Sequence, residues 1–291
     1  MSQETVEQVH PDYRRWLRGP MVLIAVLIVA RFVLEAAGVS KDITRFVSVS
    51  VGGGMVLIYL GAVAPLRGIT RFNQMVIPAL VVSIWLGGWD TLALLVSGAL
   101  RLPGSHFADA PGALQNWQHL GLHAFSHLAL SVVTSPINLG LMALLFFLHR
   151  WPVIVAPSAV LGGLVTLRFA AEAMNFAPTT ASAWSSTVGV LLCALYLGGI
   201  GPRMGFGSAR QLLVPSLVLG WVWRFWIFLA ALASATPLYK THFFDPSEGR
   251  VAVRLLEFFG GEVIVVGAVA GMVVWGIAVW TSRVLQRARS A

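Results

Sequence analysis

The stretch PMVLIAVLIVARFVLEAAG, residues 20–38, decides the class of this fold. It is apolar throughout except for Arg31 and Glu35. About 20 such residues, each rising 1.5 Å along a helix, cross a hydrocarbon layer of roughly 30 Å. Similar runs follow near 46–64, 75–98, 121–148, 152–172, 184–201, 212–236 and 258–282. Between them lie the breaks that Pro, Gly and charge make: Pro65-Leu66-Arg67-Gly68, Pro103-Gly104, Arg150-Trp151-Pro152, Pro178 and Pro202-Arg203. The expectation is an all-α integral membrane protein of about eight transmembrane helices.

Composition agrees. The 291 residues are 57% hydrophobic and 11% charged, with a mean hydropathy of +0.79. Soluble domains carry roughly 25% charged residues. A water-soluble core cannot absorb so much apolar side chain, whereas a bilayer solvates it. The lone cysteine, Cys193, excludes an internal disulfide and any CxxC motif, and it reads as a small buried hydrophobe.

Ahead of the first run, residues 1–19 form a polar segment with Glu4, Glu7 and Asp12 followed by Arg14, Arg15 and Arg18. No small-x-small cleavage site follows, so the run reads as a retained signal anchor. With the N-terminus inside, the inner segments hold Arg14, Arg15, Arg18, Arg67, Arg71, Arg150, Arg203, Arg210, Arg283, Arg287 and Arg289. The outer ones hold fewer: Lys41, Arg45, Arg101, Lys240, Arg250 and Arg254. The sequence therefore predicts a multi-pass protein of the cell membrane with both termini in the cytoplasm. The net charge of +8 reflects this bias, and no basic motif or stacking platform for nucleic acid accompanies it.

The opening stretch also exposes an internal repeat. Shifted by 137 positions, Arg31, Phe32 and Glu35 fall on Arg168, Phe169 and Glu172. Tyr59-Leu60-Gly61 falls on Tyr196-Leu197-Gly198, Pro65 on Pro202, Pro78 on Pro215 and Trp89 on Trp226. Between 31 and 68, twelve of thirty-eight positions are identical without a gap. The reading is two similar four-helix halves, 20–150 and 151–291. An even number of spans in each predicts parallel orientation about an axis along the membrane normal, as in parallel-repeat transporters.

Ionisable groups inside a span cost about 2.5–3.5 kcal/mol at its centre, so each needs a reason. Arg31 with Glu35, and Arg168 with Glu172, stand four apart on one helical face. They serve either as self-neutralising pairs that fix packing or as arginines converging on an anion, a carboxylate or a quinone oxygen. Asp90 and Arg224, at similar depth in the third and seventh runs, form a second pairing, across the halves. His119, His123 and His127 repeat every four residues and drift only about 40° per step, so they line one stripe.

That stripe admits metal or haem ligation, a proton relay or ligand lining, or plain polar packing. No HExxH, P-loop, GxSxG or N-glycosylation acceptor is present, and no cofactor is named by the sequence. The long outer loops near 99–118 and 237–257, with His106, Asp109, His242, Asp245 and Glu248, correspond under the repeat and are expected to cap the polar zone. Three functions follow: a small-molecule or ion permease, a metal- or haem-binding redox protein, or a scaffold subunit of a membrane complex. The bilayer is the one certain partner.

Overall fold

The fold is described from a computed structural model in which residues 12–44, 47, 49–102, 107, 116–235, 241–244 and 250–290 are placed. His106, Asp109, Asp245 and Glu248 lie outside the described residues, as do Arg45 and Lys240. Among the described residues the chain is helical, with one isolated bridge between Thr241 and Phe244 and no sheet. It divides into two compact units, Met1–Phe147 and Leu148–Ala291.

Unit 1 begins with α1 (Tyr13–Ala36), whose first turn is closed by Asp12 accepting from the Arg15 amide at 3.1 Å. A one-turn α2 (Lys41–Thr44) precedes α3 (Val49–Val63). After Gly68, held at φ 80°, a 3-10 turn leads into α4 (Val76–Ala99). Asn116 caps α5 (Trp117–Val133) by accepting from the Gln118 and His119 amides. Thr134 and Pro136 break the ladder, and α6 (Ser135–Phe147) carries on. Trp85 Nε1 donates to Met21 O (2.9 Å), tying α4 to α1, and Asn138 Nδ2 donates to Ser83 Oγ (2.8 Å), tying α6 to α4.

Unit 2 comprises α7 (Pro152–Ala173), a short α8 (Pro178–Ser182), α9 (Ser186–Ile200), α10 (Ala209–Ser234), α11 (Val251–Phe258) and α12 (Gly267–Ser290). A π-helical segment, Phe259–Val266, joins the last two. Its widened turn leaves the Ile264 carbonyl able to accept from Trp221 Nε1 at 3.2 Å. Ser208 and Gln211 form a reciprocal capping box at the start of α10. The Gly267-x-x-x-Gly271 pattern lies where α12 meets Gly220 of α10, and a Cβ on Gly220 would strike both backbones.

Among the described residues, seven helices are long and apolar enough to cross a membrane: Tyr13–Ala36, Phe72–Ala99, Trp117–Arg150, Pro152–Ala173, Thr179–Met204, Ala209–Ser234 and Val251–Ala288. The run read as a span at 46–64 forms a shorter helix of 15 residues. On α1 the outward residues Val22, Val26, Val29 and Val33 are exposed and apolar, while Ile24 and Ile28 are buried. A helix apolar on its exposed face is solvated by lipid. The chain is therefore a polytopic helical membrane protein. The helices that open near 121 and 258 in the sequence reading start earlier, at Trp117 and Val251. Hydropathy marks where a helix enters hydrocarbon, not where its hydrogen bonds begin.

Candidate functional site

Both Arg–Glu pairs form, each in its own unit. In unit 1, Arg31 Nε donates to Glu35 Oε1 at 3.0 Å, and Thr44 Oγ1 donates to the same oxygen at 3.2 Å. Phe107 packs over this pair, 6.4 Å from the Phe32 ring and 6.0 Å from the Arg31 guanidinium. Only 11% of the Arg31 side chain and 3% of that of Glu35 remain exposed.

In unit 2, Arg168 Nε donates to Glu172 Oε1 at 3.1 Å, but here the pair is open, 26% and 14% exposed. His242 supplies what Thr44 supplies in unit 1. Its backbone N–H donates to Glu172 Oε2 at 2.9 Å and its Nδ1 meets the same oxygen at 2.5 Å. Phe243 anchors the segment against Phe169, ring centroids 6.4 Å apart. Thr241 is fixed to Ser234, oxygen to oxygen at 2.5 Å. The sequence reading placed His242 in a loop without seeing this contact. A signal existed: His106-Phe107-x-Asp109 reappears as His242-Phe243-x-Asp245, displaced by 136 positions, one short of the main register.

The histidine stripe runs along α5 as its spacing predicts. The rings of His119 and His123 stack with centroids 6.3 Å apart, and those of His123 and His127 meet edge to face at 4.7 Å. At its deep end His127 Nδ1 lies 2.9 Å from Asp90 Oδ2 on α4. The helices approach closely there because Gly87 faces Ser131 without room for a Cβ, and Thr91 Oγ1 donates to Ala124 O at 3.3 Å. Among the described residues no group of three or more His, Cys, Asp and Glu is gathered as a metal site would need.

Asp90 was paired with Arg224 in the sequence reading. Within its own unit each has a partner, His127 for Asp90 and Glu262 for Arg224. Arg224 Nη1 on α10 contacts Glu262 Oε2 of the π segment at 3.2 Å, with its guanidinium 4.6 Å from the Trp223 ring. Its buried Nε has no hydrogen-bond partner among the described residues. Glu262 was missed although it interrupts an apolar run, Gly260-Gly261-Glu262-Val263-Ile264, and that interruption was the available signal.

Comparison of the chain with protein-family models, with curated proteins and with solved structures gave no match.

Proposed function

We propose that the chain is a small-molecule or ion permease of the cell membrane that couples transport to protons. Asp90 and His127 are the groups that take up and release the proton. The observation that carries this reading is the 2.9 Å Asp90–His127 contact between two membrane-length helices, continued through His123 to His119. Imidazole is the side chain whose charge changes nearest neutral pH, and a carboxylate beside it supplies a site to which the proton can pass. Ionisable side chains kept inside spans mark ion paths and proton relays.

The architecture proposed with it has eight spans in two duplicated four-helix units, both termini cytoplasmic. Several observations support that reading. α3 and α9 have bounds that differ by the same 137 positions, Val49–Val63 and Ser186–Ile200. Gly68 (φ 80°) and Gly205 (φ 88°) turn the chain at matching places, where only glycine adopts the left-handed backbone cheaply. The Arg–Glu pairs and their docked phenylalanines repeat as well. Arg14, Arg15 and Arg18 at one end and Arg283 and Arg287 at the other favour the cytoplasm.

The test is proton entry into proteoliposomes with a trapped pH-sensitive dye, under an imposed pH gradient and with mixtures of amino acids, organic acids and metal ions outside. The expected result is solute-dependent entry that Asp90→Asn slows by about 10²-fold, the size of effect a positioned proton-transfer group has. Entry that no mixture stimulates, or that Asp90→Asn leaves unchanged, contradicts the reading and favours a scaffold role.

A further inference from the structure

We infer that the open cluster at the end of α7 in unit 2, Arg168, Glu172 and His242, binds a phosphate group. This rests on different residues from the proton-handling stripe and stands apart from it.

Both oxygens of Glu172 are occupied, Oε1 by Arg168 Nε and Oε2 by the backbone N–H and Nδ1 of His242. A carboxylate accepts, so the Nδ1 proton points at Glu172 and Nε2 is the ring nitrogen left over. Glu172 thus acts as an orienting group with its strongest acceptor directions used. What the cluster presents outward is the terminal nitrogens of the Arg168 guanidinium and the Nε2 edge of an imidazole that is 47% exposed. The complementary ligand is an oxyanion.

Its shape follows from the donors. A guanidinium end takes two oxygens side by side. The imidazole Nε2, with Nδ1–H committed to Glu172, accepts from a phosphate hydroxyl at its own position on the Thr241–Phe244 segment. A carboxylate has only two oxygens to share, whereas a phosphate offers a third. The site is held in advance of binding. Phe243 and Phe244 are buried and Thr241 is tied to Ser234, so His242 is presented on a fixed hook and little ordering cost remains. The corresponding pair in unit 1 is closed beneath Phe107, and it offers no such edge.

Arg168 lies 16 residues beyond Pro152, about 24 Å along the helix and near the far edge of a hydrocarbon layer of roughly 30 Å. Phosphate reaches that depth either free from solution or as a lipid headgroup, and the experiment separates the two.

The full-length protein is placed in nanodiscs of a galactolipid, which carries no phosphate, and titrated with radiolabelled inorganic phosphate by equilibrium dialysis against empty nanodiscs. One saturable site per chain is expected. Arg168→Gln weakens it by about tenfold or more, the loss of one charge-assisted contact. Because that variant leaves Glu172 without its arginine, His242→Asn is measured beside it. The asparagine amide keeps a donor for Glu172 and removes Nε2, and it is expected to lower affinity while leaving the folded yield intact. Phosphatidylglycerol doped into the disc identifies the lipid headgroup as the source if it competes, and free phosphate if it does not. Binding no greater than to empty discs, or binding unchanged in both variants, overturns the proposal.

Discussion

Unit 1 and unit 2 each keep an arginine and a glutamate one turn apart on their first long helix, and each docks a phenylalanine beside them. In unit 1 the pair is sealed by Phe107 and Thr44, and in unit 2 it is left open to His242. Deeper in the helices the contrast reverses in chemistry. Unit 1 has an acid on α4 against a base on α5, Asp90 with His127, and both members can lose or gain a proton. Unit 2 has a base on α10 against an acid on the π segment, Arg224 with Glu262, and arginine stays charged at any pH a cell meets. The first unit thus sets a carboxylate against an imidazole, and the second sets a carboxylate against a guanidinium. The Arg–Glu pairs and the glycine turns occur in both units, whereas the deeper polar pairs differ between them.

That comparison is most easily broken at the glycines. A Cβ on Gly61 would meet the Met142 backbone, and one on Gly198 would meet the Ala278 backbone. Backbone cannot step aside as a side-chain tip can, so Gly61→Leu and Gly198→Leu should each cost more than about 3 kcal/mol and abolish the monodisperse peak in size-exclusion chromatography. A normal peak for one variant only would mean the two units pack by different rules.

A smaller effect separates the two deep pairs. Glu262→Gln leaves the Arg224 charge without its carboxylate inside the membrane, and should lower stability by about 2 kcal/mol in detergent unfolding, reduced from the fully buried case by partial exposure. Asp90→Asn should cost within about 1 kcal/mol, because the imidazole of His127 can remain neutral. The double replacement of Arg224 and Glu262 by methionine should recover most of the loss. Equal costs for the two single variants would erase the distinction between a titrating and a fixed pair.

The smallest expected change concerns the caps. Phenylglyoxal labelling read by mass spectrometry should modify Arg168 several-fold faster than Arg31, in keeping with their exposures of 26% and 11%. Phe107→Ala should narrow that gap by uncovering Arg31. Equal labelling in the unaltered protein would show that Phe107 is no seal.

Much of this was legible in the sequence, and the reasons for the rest are physical. Apolar length gave the membrane class, and spacing of four gave both Arg–Glu pairs and the histidine stripe, because helical periodicity is a property of one chain segment. The partner of His127 was not readable. Which face of α4 turns toward α5 depends on packing at Gly87 and Ser131, and no one-dimensional pattern encodes that rotation. Glu262 was overlooked because a single carboxylate barely lowers the hydropathy of its run. The role of His242 was not readable because its contact with Glu172 joins residues 70 positions apart, and helical spacing does not reach across that separation.

The proton exchange proposed for Asp90 beside His127 is tested against Glu262, the carboxylate paired with Arg224. Infrared difference spectroscopy of the protein in lipid, taken as the pH is lowered, reads carboxyl protonation directly. One component of the protonated-carboxyl band is expected to be missing in Asp90→Asn and to persist in Glu262→Gln. A component that survives in Asp90→Asn and is lost in Glu262→Gln would contradict that exchange.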